Sequence, residues 1–414
     1  MTKIECRFCG EKLRHTFVNL GATPISNDML SKEQLIGMEP FYSLHVFVCD
    51  QCFLVQLPEF ESAEKIFSDD YTYFSSYSPS WLEHAKKYVE MMVDRFGFNE
   101  NSLVVELASN DGYLLQYFSE YNVPVLGIEP TANTAQVAID KGIPTLVEFF
   151  GTELGKNTAK TGGKADLVLG NNVLAHVPDI NDFVGGMKQL LSENGIITME
   201  FPHLQRLVEQ NQFDTIYHEH FSYLSFSAVS RVFEHHGLRM FDVEELPTHG
   251  GSIRIYACHK DAARETCQRV TELLTRENEL GMNALPYYQG YEKKVKQVKR
   301  SLLRVLIDLK EKGKTVAAYG AASKGNTLLN YCGIGTEFID FVVDRSPHKQ
   351  GRYLPGTRIP VLDPAIIKDR KPDYLLILPW NLKKEIITQN EFVREWGGKF
   401  IVPIPDTEIL LRIT

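Results

Sequence analysis

Leu103-Val104-Val105-Glu106-Leu107-Ala108-Ser109-Asn110-Asp111-Gly112-Tyr113-Leu114-Leu115 decides the fold class. A short apolar run predicts a buried strand, the small residues a turn, and the renewed apolar run a helix start. Backbone can approach a ligand closely where side chains are small. The pattern G-x-G-x-x-G is missing, which argues against a nicotinamide dinucleotide. Working outward, Val125-Leu126-Gly127-Ile128-Glu129-Pro130 is a second strand ending in an acid, the kind of residue that accepts from ribose hydroxyls. Residues 166–176 form a strand running into Asn171, Asn172 and His176, and 195–201 form the next. Trp81 to Phe96 reads as a helix. Strands alternating with helices predict an α/β doubly wound sheet, whose ligands sit at the strands' carboxyl ends. Residues 238–243 and 252–257, joined by a short loop, predict an antiparallel pair closing the sheet edge.

The chain has 414 residues, 43% of them hydrophobic, enough for two or three domains. Its formal charge of −9 argues against a nucleic-acid partner. No apolar run is long enough for a bilayer and the first residues are not a signal peptide, so neither membrane nor export is expected, and a cytoplasmic location is. Cys6-Arg7-Phe8-Cys9 and Cys49-Asp50-Gln51-Cys52 offer four thiols in two knuckles. Redox chemistry is the competing reading, but paired knuckles suit a tetrahedral Zn2+ site. Four protein ligands leave no open position, so the metal is expected to be structural. Residues 44–48 predict a strand into the second knuckle. Residues 69–78, rich in aromatics and hydroxyls, read as a polar linker or a lid.

Tyr217-His218-Glu219-His220 crowds two imidazoles, a carboxylate and a phenol together. They could take a proton and steady charge, or could be a polar loop. Two residues apart, the histidines would share one face of a strand, which is not the H-E-x-x-H zinc pattern. Beyond residue 262 the chain reads as helices to 312, interrupted by Pro286. Gly313–Thr327 is again strand, small-residue turn and helix, now carrying Lys324. Exposed N–H groups at a helix start plus a cation suit phosphate, though the spacing is not that of a Walker loop. Residues 338–344 predict a second strand ending in an acid. Arg345, His348 and Arg352 follow on a loop that reads as a basic patch or a solvated surface.

The Glu-x-Ala-x-x-x-Gly turn at 106–112, in this sheet, resembles the cofactor loop of class I S-adenosylmethionine-dependent methyltransferases, with Ala108 in place of a glycine. The order of paired Cys-x-x-Cys knuckles, Tyr-x-Tyr-Phe-Ser-Ser at 71–76, cofactor loop, Phe213–His220 run and His249-Gly250-Gly251-Ser252, ahead of a second nucleotide-type fold, is similar to that of C-methyltransferases acting on nucleotide-linked (dTDP-type) keto-deoxysugars. The resemblance spans almost the whole chain. It implies a zinc-binding domain at 1–65, a methyltransferase domain at 66–258, and helices with a Rossmann-like nucleotide-sugar domain at 259–414. It implies S-adenosylmethionine held by Glu106, Ala108, Asn110, Gly112, Glu129, Asn171 and Asn172. Phe149 and Phe150 would lie near adenine, or serve as ordinary core. The sugar nucleotide would meet Tyr73, Ser323, Lys324, Asn326, Arg345, His348 and Arg352.

The expected chemistry starts from carbon's poor nucleophilicity. Removing a proton alpha to a ketone, at C3 beside a C4 ketone in the family's commoner case, gives an enolate that can attack the methyl donor. His220 is the expected base. Tyr217 would steady the oxygen, and Glu219 would orient substrate or base. His176 and Tyr71 are assigned by resemblance. An O- or N-methyltransferase, which needs less of a base, is the alternative, and a non-catalytic scaffold is a third reading.

Overall fold

The computed structural model describes residues 4–62 and 73–410. Tyr71 lies outside them. Contacts divide the chain into two compact units: residues 1–14, 49–203 and 221–285 form one, and 15–48, 204–220 and 286–414 the other.

The first unit is built on seven strands: β1 (Val104–Leu107), β2 (Val125–Ile128), β3 (Thr145–Leu146), β4 (Ala165–Asn171), β5 (Leu191–Pro202), β6 (Leu238–Leu246) and β7 (Ser252–His259). Their order is β6-β7-β5-β4-β1-β2-β3. The ladders from β5 through β3 are parallel, while β7 is antiparallel to both β5 and β6. The expected closing pair is therefore present at the sheet edge. All four residues of β1 are buried, as a strand covered on both faces requires. The helix Pro79–Phe96 is capped by Ser78, whose side chain accepts from Trp81 N–H, and ends at Gly97. Its Ala85, Tyr88, Val89 and Met92 pack with Phe118, Leu167 and Tyr256 in one core.

The second unit holds a shorter sheet: β8 (Val316–Tyr319), β9 (Val342–Val343), β10 (Val361–Leu362), β11 (Tyr374–Ile377), β12 (Lys399–Val402) and β13 (Glu408–Leu410), ordered β10-β9-β8-β11-β12-β13. Only β13 is antiparallel to its neighbour. A hairpin, His15–Thr23 with Tyr42–Val48, belongs to this unit; its Phe17 stacks on Tyr291 at 4.6 Å.

Two local expectations change. Pro286 does not interrupt a helix but sits at the start of a short one, Leu285–Tyr288, where its missing N–H costs nothing. The breaks fall at Gly281 and Gly290, both with positive φ. The 217–220 run is a turn and not a strand: His220 N–H donates to Tyr217 O at 2.9 Å. His218 and His220 thus do not share a strand face.

Candidate active site

The turn after β1 is held in an uncommon backbone shape. Ala108 (φ 54°) and Asn110 (φ 50°) both lie in the left-handed region. At Ala108 a glycine would carry no strain, so the departure at this position is tolerated at some cost. Gly112 has φ 73°, and a Cβ there would meet Ile143 Cδ1 at 2.4 Å, so only glycine fits. Asn110 N–H donates to Glu129 Oε2 at 2.9 Å, and Thr131 N–H to Glu129 Oε1 at 2.9 Å. Asn110 also receives Ser75 N–H on its Oδ1 and donates to Tyr73 O, which joins the described end of the aromatic-hydroxyl stretch to the turn. Lys141 Nζ is bonded to Asp111 O at 2.7 Å.

Glu106 is fully buried, and among the described residues neither carboxylate oxygen has a hydrogen bond of normal length. Burial pushes its carboxyl well above the usual range; the Tyr113 hydroxyl opposes this, and Asp111 and Glu129 add to it. A buried acid with unused acceptors is a cost to the protein alone, which a cationic, hydrogen-bond-donating ligand would offset. S-adenosylmethionine, with a sulfonium and an ammonium, fits that description.

Asn171 Nδ2 donates to Tyr113 Oη at 3.2 Å, and Asn172 (φ 54°) donates to His249 Nε2 at 2.9 Å. Beside them lies a network that sequence reasoning missed. Glu200, at the end of β5, accepts from His84 at 2.9 Å, from Arg254 at 2.7 Å and from Thr248 at 2.9 Å. Burial would raise Glu200, but the His84 bond and the Arg254 charge bring it down to about 2. Trp81 stacks on His84 and meets His249 edge-on. The available signal was an acid at a strand's carboxyl end, like Glu129. Phe149 is 44% exposed and so is not core, while Phe150 packs edge-on against Phe183.

The four knuckle thiols of Cys6, Cys9, Cys49 and Cys52 lie within 4.8 Å of one another. Separations of 3.5 Å (Cys6–Cys52 and Cys9–Cys49) and 3.7 Å (Cys9–Cys52) suit a tetrahedral zinc, whose ~2.3 Å bonds put sulfurs roughly 3.8 Å apart. Each knuckle turns in the same way. Gly10 and Phe53, the residues after the second thiols, both have positive φ and donate to Cys6 O and Cys49 O.

In the second unit, His220 is 8% exposed and its Nδ1 donates to Thr215 O at 2.8 Å. A carbonyl can only accept, so the lone pair resides on Nε2, the form a general base needs. The Tyr217 ring lies 4.0 Å from that imidazole. Glu219 is buried and accepts from Asn27 at 2.7 Å. Burial raises its carboxyl to about 7, against Asn27 and the Lys349 charge. His218 faces the hairpin: it donates to Ser43 O and meets Tyr42 edge-on.

The same run packs on the turn after β8. Thr327 Oγ1 donates to Ile216 O, and Trp380 Nε1 donates to Asp214 Oδ2 at 2.7 Å. Burial raises Asp214 to about 7, opposed by Lys324 and Trp380. Lys324 donates to Asn381 at 2.9 Å and lies over the Trp380 ring. Ser323 opens the helix Ser323–Cys332. Asn326 is buried and bonded to Asn330. Arg345 and His348 are exposed; Arg345 pairs loosely with Glu385, and Arg352 with Met29 O. Thus His220, Tyr217, Glu219 and Lys324 share one unit, while Glu106, Glu129, Asn171, Asn172 and His176 share the other.

A sheet of this order with an acid-lined turn after its first strand defines a class I S-adenosylmethionine-dependent methyltransferase. The chain matches a zinc binding domain family over residues 6–67, a methyltransferase domain over 81–243 and the C-methyltransferase C-terminal domain over 247–405. C-methyltransferase NovU from Streptomyces niveus is 38% identical over 98% of this chain and 96% of its own length. Among solved structures, magnesium protoporphyrin IX methyltransferase from Synechocystis PCC 6803 with bound SAM is 15% identical, over 47% of this chain and 88% of its own, at a TM-score of 0.34. The PH0226 protein of Pyrococcus horikoshii is 13% identical, over 49% of this chain and all of its own, at 0.37. The chain belongs to the C-methyltransferase family: it is an S-adenosylmethionine-dependent C-methyltransferase with an N-terminal zinc-binding domain. Among the described residues no helix is long and apolar enough to cross a membrane.

Proposed function

We propose that the enzyme methylates a ring carbon, C3, alpha to the ketone of a nucleotide-linked keto-deoxysugar, with His220 as the base. The observation that carries this reading is the 2.8 Å bond from His220 Nδ1 to Thr215 O, which leaves the basic lone pair on Nε2. His220 takes the proton from the carbon next to the ketone. Tyr217, whose ring lies tilted against it, hydrogen-bonds the ketone oxygen as charge builds there. Glu219, held by Asn27, orients the sugar. His176 and Tyr71 complete the set by family resemblance. S-adenosylmethionine supplies an electrophilic methyl group when bound in the Glu106–Glu129 turn. Carbon needs this machinery, whereas an oxygen or nitrogen acceptor already carries a lone pair.

The nucleotide reading is supported by Lys324 at a helix start and by Lys349, whose Nζ donates to Ala321 O on the same turn. Three functional segments follow from it, at 1–65, 66–258 and 259–414, in a cytoplasmic enzyme of deoxysugar biosynthesis. The test is deuterium exchange at the sugar carbon in heavy water without methyl donor, followed by locating a labelled methyl group. Wash-in and a label on carbon are expected. No wash-in, or a label on oxygen, overturns the reading.

A further inference from the structure

Arg7 lies between two metal ligands, yet its guanidinium turns away from them into the first unit. Nη1 donates to Pro178 O and Nη2 to Leu57 O, both at 2.5 Å. Its Cζ sits 5.3 Å over the ring of Phe221, the residue that follows His220. Phe221 is 1% exposed and is fastened at both backbone groups. Its N–H donates to Ala175 O at 2.8 Å, and its C=O accepts from Leu57 N–H at 3.0 Å. The next two residues, Ser222 and Tyr223, pair with Gln56 and Val55, the strand that leaves the second knuckle. Gln56 closes the circuit. Its Nε2 donates to Cys6 Sγ at 3.0 Å, and its Oε1 accepts from Arg7 N–H at 2.8 Å. Asn181 holds the knuckle from behind, donating to Phe8 O at 2.9 Å.

A structural site with four protein ligands has no chemistry of its own, but it removes freedom from the loops it joins. Here both loops lead to Phe221. Zinc with four thiolates would also carry a net charge of −2, a counter-charge to the Arg7 guanidinium in addition to the carboxylates of Glu59 and Asp179. We infer that Arg7 is a positioning residue which carries the order of the zinc knuckle to Phe221 and so fixes the backbone that delivers His220. This rests on the proposed role of His220.

The test uses the full-length zinc-loaded enzyme, with Arg7→Met and Arg7→Lys. In Arg7→Met, kcat should fall about 10- to 100-fold, since small misplacement of a reacting group costs that much. KM for S-adenosylmethionine and the zinc content should stay within twofold. Arg7→Lys, which keeps the charge but makes fewer bonds, should recover part of the loss. Amide exchange at Phe221 and Leu57 should quicken about tenfold in Arg7→Met with zinc still bound, a change that activity alone would not reveal. Unchanged protection at both amides, or kcat within twofold of wild type, overturns the proposal. If Arg7→Met does not fold, chelating zinc from the wild type decides: faster exchange at Phe221 is expected, and unaltered exchange refutes the link. His220→Asn run alongside separates the two claims. If it turns over normally, the base assignment fails, while faster exchange at Phe221 would still establish the brace.

Discussion

The two sheets solve one geometric problem with opposite electrostatics. In each, the first strand ends in a turn that needs glycine: Gly112 against Ile143, and Gly320 (φ 93°), where a Cβ would meet Pro379 Cδ at 2.6 Å. In each, an acid at the end of the second strand accepts from that turn: Glu129 from Asn110 N–H at 2.9 Å, Asp344 from Ala321 N–H at 2.7 Å. The difference lies in what surrounds the turn. In β1 itself stands Glu106, buried, with no hydrogen bond of normal length to either oxygen among the described residues. Beside β8 stand Lys324 and Lys349. The same scaffold can therefore favour a cation in one case and an anion in the other, because backbone shape and local charge are set by different residues.

The largest effect expected belongs to neither turn but to His220, the proposed base. His220→Asn should lower methyl transfer about 10³-fold, within the range for general-base catalysis, and abolish deuterium wash-in. Calorimetry should find S-adenosylmethionine binding unchanged, because the cofactor turn is in the other unit. A loss of cofactor binding in this variant would break the division of labour.

Glu106→Gln sharpens the contrast from the cationic side. Affinity for S-adenosylmethionine should drop about 10- to 100-fold, the weight of one charged hydrogen-bond partner. The unliganded protein should become more stable, since burial holds the Glu106 carboxyl above its ordinary range. A carboxyl raised on folding contributes stability below its unfolded pKa and loses it as pH rises through the folded value. Unfolding followed from pH 5 to 9 should therefore show a flatter profile for Glu106→Gln than for wild type. Lys324→Gln tests the anionic side. KM for the proposed sugar-nucleotide substrate should rise about tenfold with little change in the cofactor KM, and its dependence on salt should weaken. An equal rise in both KM values would remove the distinction between the turns.

The smallest effect concerns Asp214. With its carboxyl raised to about 7, its stabilising contribution is complete below about pH 4 and fades as pH rises through 7. Asp214→Asn keeps an oxygen for Trp380 and should lose less stability between pH 5 and 8, by about 2 °C in Tm. An identical pH profile would show that Lys324 compensates the charge fully.

Much of this was legible beforehand because it is local. The strand-turn-helix at 103–115 and its counterpart at 313–327 follow from apolar runs broken by small residues. The four thiols follow from knuckle spacing. The Pro286 break was misplaced because proline obstructs a helix only past its first turn. The turn at 217–220 was invisible because histidine, glutamate and tyrosine carry no strong backbone preference, and the shape there comes from Thr215 and Tyr217 carbonyls.

Residue order alone therefore settled the class of sheet, the four-thiol cluster and the family, since each rests on short spacings that any chain with those residues must keep. Tertiary packing decided the rest. It brought His84, Arg254 and Thr248 onto Glu200, seated Asp214 beneath Trp380, and laid Arg7 over Phe221. Those partners stand far apart along the chain, and only the closing of a packed core, which fixes many loops at once, determines which buried charge meets which donor.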